Sequence, residues 1–281
     1  MTEYINGIRQ FEPGFDLKMH WAPIREAVLS ILGITGIIVP IGDAQHEATD
    51  RTTCTSVGDQ QVVFTYSKAV TTFDTPPFFF GPGYVPIVSF DGTDEGADTP
   101  DVAYFSRGNG SADSAFSLGL WLYPTNAGGT YQQPFSKDNN TDREWGLEID
   151  DPAVPIPALR LWDDSAAVSC SRPLSAVLTL STWAFVVFTY DGAGGATAAN
   201  TIKAYKNGAL ANGTAVNHAN YVAMEDLTAL PSIGVMSGEI ATRFYGGKLA
   251  GGPLGPFFVQ AELTADVVNR LYQLGRNYMG V

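Results

Sequence analysis

The chain is poor in charge, and poorest in positive charge. Only 16% of its 281 residues are Asp, Glu, Lys or Arg, and 16 basic residues face 29 acidic ones, for a formal charge of −13. That balance repels phosphate backbones and anionic membrane surfaces, so nucleic acid and membrane are excluded as expected partners. Cysteine and histidine are also scarce. Cys54 and Cys170 form no CxxC pair, and with three histidines in all they offer no cysteine–histidine zinc set. Two separate buried thiols are expected in preference to a bridge between the two halves of the chain.

Long hydrophobic runs are missing as well. The best candidate, 27–42, is too short to span a bilayer and is interrupted by Gly33, Gly36 and Pro40. The opening MTEYINGIRQFEPGF lacks a basic-then-apolar pattern, so a chain made in the cytoplasm without a signal peptide is expected. No Gly-x-Ser-x-Gly elbow, HExxH helix or Walker loop occurs. His20, His46 and His218 have no recognisable partners and are expected on the surface or in packing roles.

What the chain does contain is 30 glycines and 17 prolines, the composition of turns and short strands, which predicts an all-β protein. The run TPPFFFGPGYVP, 75–86, divides it near residue 83. Ahead of that point, Pro23 suits a first helical turn, and Ile24, Val28, Ile31 and Leu32 stand at helical spacing before a stop at Gly33. Residues 60–73 read as one or two strands. One short helix and a strand or two make an incomplete core, so residues 1–83 are expected to be an arm docked on the remaining domain or on another subunit. Ile31, Ile34, Ile37, Ile38, Phe78, Phe79 and Phe80 are its candidate interface residues.

Beyond residue 83 short strands alternate with turn clusters. The segment 116–126 is a strand closed by Pro124, and 182–192 is apolar on both faces, as a covered central strand should be. Asn207-Gly208 between two short β runs suits a type I′ hairpin, whose central residues both need positive φ. Near the end, Thr264 can cap a helix stapled by Leu263 and Val268, striped by Val267, Leu271 and Leu274, and stopped at Gly275. The pattern predicts an antiparallel two-sheet sandwich closed by a short helix.

The order SFDGTDE, FSLGLWLYPT, LSTWAFVVFTYDG, KAYKNGAL and FVQAELTADVVNRLYQL resembles the laminin G-like domain of the concanavalin A-like lectin and glucanase superfamily. Trp121, Pro124, Trp183, Tyr190, Asp191, Gly192, Tyr205, Asn207, Gly208, Leu263, Thr264 and Tyr272 carry the resemblance, which covers about 84–278. It implies a concanavalin A-like jelly-roll β-sandwich over 84–281, preceded by the arm. Members of such a family bind sugars, bind proteins, accompany enzymes or build virus particles, and only some hydrolyse glycans, so fold leaves function open.

The stretch EWGLEID, 144–150, is where glycoside hydrolysis would be sought, because that chemistry needs two carboxyls about 5 to 9.5 Å apart. Glu148 and Asp150 resemble the first two acids of a laminarinase-type strand, but the third place falls on Ala153, or on Pro152 in a shorter variant. The alternation instead predicts a half-buried strand with Trp145, Leu147 and Ile149 inward. The chain is therefore expected not to be an enzyme.

Two groups of loop carboxylates, Asp91, Asp94, Glu95 and Asp98 and then Asp138, Asp142, Asp163 and Asp164, could offer oxygens to calcium, though neither has EF-hand spacing. No cofactor is expected otherwise. Tyr131, Trp145, Trp162 and Tyr245 are candidate stacking platforms for sugar rings, against the plainer expectation that aromatics in a sandwich are core.

These observations leave two functions in view. The first is a non-enzymatic virion structural protein, such as a bacteriophage capsid decoration or surface component. Its arm would anchor it to other virion subunits such as the major capsid protein, as a homo-oligomer resident in the virion. The second is a carbohydrate-binding, lectin-like module that recognises glycans, including those of a host surface.

Overall fold

The computed structural model describes residues 4–5, 8–9, 17–43, 45–68, 78–80, 85–238 and 243–281, with side chains described from residue 21 onward except in 78–80. The predicted concanavalin A-like jelly-roll architecture is present. A small hairpin of β1 (Tyr4–Ile5) and β2 (Ile8–Arg9) stands apart from two large antiparallel sheets.

The first sheet has ten strands: β3 (Gly36–Ile38), β5 (Val57–Gly58), β7 (Phe78–Phe80), β8 (Pro86–Asp91), β10 (Phe116–Gly128), β15 (Ala184–Tyr190), β16 (Lys203–Lys206), β17 (Ala209–Leu210), β19 (Tyr245–Ala250) and β20 (Phe257–Val259). Their order is β17-β16-β15-β10-β19-β8-β7, with β20 pairing β10 and carrying β3 and then β5. The second sheet has eight: β4 (Thr53–Thr55), β6 (Val63–Tyr66), β9 (Ala97–Asp98), β11 (Gln132–Asp138), β12 (Arg143–Ile149), β13 (Pro157–Asp163), β14 (Val168–Pro173) and β18 (Pro231–Ile233), in the order β14-β13-β12-β11-β18-β9-β6-β4.

The period-two pattern of β10 and β15 explains how three layers arise. Leu118, Leu120, Leu122, Val186 and Phe188 turn into the space between the sheets, where Phe258 stacks on Phe116 and on Trp145 with centroids 5.4 and 5.3 Å apart. Trp121, Phe185 and Val187 turn the other way, under helices α1 (Leu17–Leu32) and α2 (Ala265–Met279). The first sheet is thus covered on both faces, which is why 184–190 is apolar but for Thr189 and the Tyr190 hydroxyl, and fully buried.

Both helices differ from expectation in extent. α1 begins six residues before Pro23, with the proline inside it, and ends at Gly33, whose φ of +86° continues no helix. Trp21, Ile24, Val28 and Leu32 form its buried stripe. No described helix is long and apolar enough to cross a membrane. In α2 the Thr264 cap forms, with Val267 N donating to its hydroxyl, but Gly275 does not stop the helix. The buried stripe is Val268, Leu271, Gly275 and Met279, and Gly275 lies against Trp121, where a Cβ would meet the indole at 2.8 Å. The stop falls at Gly280, in the left-handed region with φ +71°. The Asn207-Gly208 turn has the expected positive φ values of 51° and 78°.

The first 83 residues lend strands to both sheets: β3 and β5 extend the first through β20, while β6 pairs β9 in the second and β4 pairs β6. Ile37 and Ile38 have no exposed surface, because they face the sandwich core and the helix layer of their own chain. Their assignment as an interface to a neighbouring subunit is therefore corrected. Ile31, within α1, is partly buried against the helix-layer core, whereas Ile34 is 90% exposed in the turn before β3. Phe78, Phe79 and Phe80 pair with β8, and their side chains lie outside the described residues. The two cysteines remain separate buried thiols on β4 and β14, the two edge strands of the second sheet.

Candidate functional site

No described helix covers the outer face of the second sheet, and that face is the place to look for a site. One register row crosses all eight strands through Thr53, Thr65, Asp98, Ser232, Ser136, Gly146, Arg160 and Ser171, every residue small or polar. The inward row beside it runs through Tyr66, Ala97, Ile233, Phe135, Leu147 and Leu159 before ending at Arg172 on β14, so alternation assigns the two faces.

EWGLEID lies in β12 up to Ile149, and Trp145, Leu147 and Ile149 are inward as expected. The strand is not half-buried, however: Glu144 and Glu148 on the other side are 0% and 2% exposed. Gly146 lies beside the Gln133 amide and the Glu148 side chain, both within ordinary contact distance of where its Cβ would stand. The Gln133 Nε2 donates to Asp138 Oδ2 at 3.0 Å and to Glu148 Oε1 at 3.3 Å. Arg160 Nε, from the next strand, donates to Glu148 Oε2 at 2.6 Å. Burial pushes the Glu148 carboxyl up from its ordinary range while Arg160 pulls it down, and burial likewise raises Asp138. Glu148 is thus sealed behind Arg160 and not presented to a glycosidic oxygen.

Glu144 belongs to a second buried group. Lys137 Nζ donates to its Oε1, to the Leu227 carbonyl at 2.8 Å, and pairs with Asp101 at 3.0 Å; Leu227 N also donates to Glu144 at 2.9 Å. This cluster ties β11 and β12 to loops 99–106 and 225–230.

Beside Arg160 the outer face opens into a cleft of about 580 Å³. Its floor is Ala158 and Arg160 of β13 with Ser171 and Pro173 of β14; Asp150, Asp151, Val154, Ile156 and Val216 form the walls. The wall at Val216 is held by a backbone bridge, Ser171 N to Val216 O at 2.9 Å and Val216 N to Ser171 O at 2.8 Å. Asp151 turns its own loop by accepting from Ala153 N at 2.8 Å. The lining mixes a guanidinium, two exposed carboxylates and a hydroxyl with aliphatic surface, and the volume lies in the range of roughly 300 to 1,000 Å³ usual for ligand sites. Sequence reasoning missed Arg160, Ser171 and Pro173; the alternation of Arg160 and Trp162 in PALRLWD was the available signal.

The sequence-derived candidates scatter. Trp145 and Tyr245 are 0% exposed, so as stacking platforms they are corrected: both are core aromatics, with Trp145 Nε1 donating to the Phe105 carbonyl at 2.9 Å. Trp162 is half-buried on the outer face, two residues from Arg160, with the Arg143 guanidinium 4.1 Å over its ring. Tyr131 is 47% exposed, with Arg243 5.0 Å from its ring.

The calcium candidates do not converge. Asp91 accepts from Thr93 N, Asp94 pairs with Lys68 at 2.7 Å, Asp138 accepts from Gln133 and Asn140, and Asp142 accepts from the Thr228 hydroxyl. Among the described residues no three His, Cys, Asp or Glu side chains gather where a metal ion could be held. His46 does have partners, against expectation. Arg25 Nη1 lies 2.7 Å from its Nε2, and burial lowers its pKa.

No curated protein sequence matches the chain significantly. Among solved structures it is similar to the serotype D botulinum neurotoxin ligand binding domain in complex with N-acetylneuraminic acid, at 12% identity and TM-score 0.52, over 89% of this chain and 52% of that one. It is similar to a mutant of HCR/D at 13% identity and TM-score 0.56, over 87% and 52%. It is also similar to a botulinum neurotoxin type C structure from work tying that toxin's cell entry to two ganglioside molecules, at 12% and 0.50, over 90% and 52%. The chain spans about half the length of these proteins, and at such identities the likeness is one of fold. Residues 91–250, more than half of the chain, match the profile of the concanavalin A-like lectin/glucanases superfamily, and with the two-sheet sandwich already described, the chain belongs to that superfamily.

Proposed function

We propose that the chain is a lectin-like, glycan-binding module whose site is the cleft over β13 and β14. The observation that carries this reading is the lining of that cleft. A sugar ring offers hydroxyls that both donate and accept, and a C–H face that prefers apolar contact. Asp150 and Asp151 accept, Arg160 donates, Ser171 does either, and Val154, Ile156, Pro173 and Val216 meet the ring face. The Glu148 carboxylate fixes Arg160, so little ordering entropy is spent when a ligand arrives. The similar toxin domains, one solved with N-acetylneuraminic acid and one tied to gangliosides, support a glycan as the class of ligand.

The alternative, a virion component anchored by residues 1–83, rested on an apolar face in need of a neighbour. Ile37 and Ile38 are covered within the chain, which weakens that support and leaves Ile34, 90% exposed, as the member of the apolar set still open to a neighbour among the described side chains.

The test is a glycan array followed by calorimetry on the whole chain and on Ala158→Trp, which fills the cleft floor with an indole. Binding by the parent and its loss in the variant, with an unchanged melting temperature, is the expected result. A parent that binds no glycan, or a variant that binds equally well, overturns the reading.

A further inference from the structure

A second hollow of about 500 Å³ adjoins the cleft and shares two of its residues, Ile156 and Pro173. It continues past the edge of the sheet to Ser175, Asn212, Gly213 and Thr214. The continuity is built into the backbone. Gly213 N donates to the Pro173 carbonyl at 2.8 Å, and Leu174 pairs with Asn212, so residues 212–216 run along β14 as an irregular ninth partner. The groove therefore follows the floor from Arg160, over Pro173, to Thr214.

The two parts differ in charge. The second hollow has no ionisable side chain among its lining residues, and offers only amide, hydroxyl and apolar surface. The first has one cation, Arg160, already engaged by Glu148 at 2.6 Å, against the exposed carboxylates Asp150 and Asp151. An acidic sugar would meet carboxylates at one end and no compensating charge at the other, on a chain whose formal charge is −13.

We infer that the groove takes a run of neutral sugars, the internal stretch of a neutral oligosaccharide chain, laid across both hollows. This rests on the glycan-binding reading of the first hollow and adds its ligand class. A single sugar ring seats in the first hollow; a chain of three or more reaches on into the second and adds contacts there. Acidic glycans of the kind seen in the similar toxin domain are disfavoured here.

The test uses the full chain with series of neutral oligosaccharides, from monomer to hexamer, of gluco-, xylo-, manno- and arabino-type, and with sialyllactose. In whichever series binds, affinity is expected to rise about tenfold or more between monomer and trimer. Thr214→Trp, at an exposed position in the second hollow, is expected to remove that gain and leave monomer binding unchanged. Ser175→Trp, also exposed, gives an independent block should the first variant fold poorly. A monomer that binds as tightly as its trimer, blocks without effect, or sialyllactose as the preferred ligand overturns this inference while leaving glycan binding intact. No binding by any member of the panel overturns both.

Discussion

Arg160 and Glu148 stand diagonally on neighbouring strands, two residues out of direct register and so on the same face, and the guanidinium seals the carboxylate at 2.6 Å from the outer face of the sheet. Arg160→Met would strand a charge on Glu148, which is only 2% exposed. Breaking a buried pair from one side costs about 3 to 5 kcal/mol, and because Arg160 itself is partly exposed the lower end, about 3 kcal/mol, is expected. The loss should be larger in mildly alkaline than in mildly acidic buffer, since burial already raises the Glu148 carboxyl and acid neutralises the stranded charge. Urea denaturation at two pH values checks both statements. Equal losses at the two values would contradict the assignment.

Glu144 gives the fold a pH dependence. Burial pushes its carboxyl up to about 7, with Lys137 pulling it back. A carboxyl that holds its proton more tightly in the folded chain than in the unfolded one favours folding in acid. That contribution is complete below the unfolded value of 4.5 and is lost as pH rises through about 7. Stability is expected to decline by on the order of 2 to 3 kcal/mol over that span. Glu144→Gln should flatten the slope, because Lys137 keeps Asp101 at 3.0 Å and the Leu227 carbonyl at 2.8 Å. A stability-against-pH curve for both proteins is the measurement.

Gly275 lies mid-helix, where Ala is ordinarily favoured by about 1 kcal/mol. Here the sign should reverse. The added methyl would stand 2.8 Å from the Trp121 ring, a rigid group itself packed against Phe185 and Tyr272. Gly275→Ala is expected to destabilise by about 1 to 3 kcal/mol, read from the urea midpoint.

How much of the molecule is legible in its sequence depends on how far apart the deciding residues lie in the chain. The strand at 184–190, the Asn207-Gly208 turn and the Thr264 cap are set by neighbours a few positions away, and their local chemistry announces them. Gly275 departs from expectation because nothing local separates a helix stop from a close approach; Trp121, across the packing interface, makes the difference. The alternation around Glu148 points it towards solvent, yet its burial comes from Gln133 and Arg160 on the two flanking strands. The cleft is hidden for the same reason: Arg160, Ser171 and Val216 become one surface only through strand pairing and the bridge at Ser171. For residues 1–83 the apolar content is plain in the sequence, but the choice between covering by a neighbour and covering by the same chain needs the pairing of Ile37 with Phe258.

That pairing makes the leading segment inseparable from the sandwich it joins. Excising it would leave β20 and β9 each with a bare hydrogen-bonding edge, beside a first sheet stripped of α1. The remnant would be expected to clump through those edges and not to persist as a tidy smaller domain. For this molecule, a shortened fragment would test solubility before it tested anything about ligands.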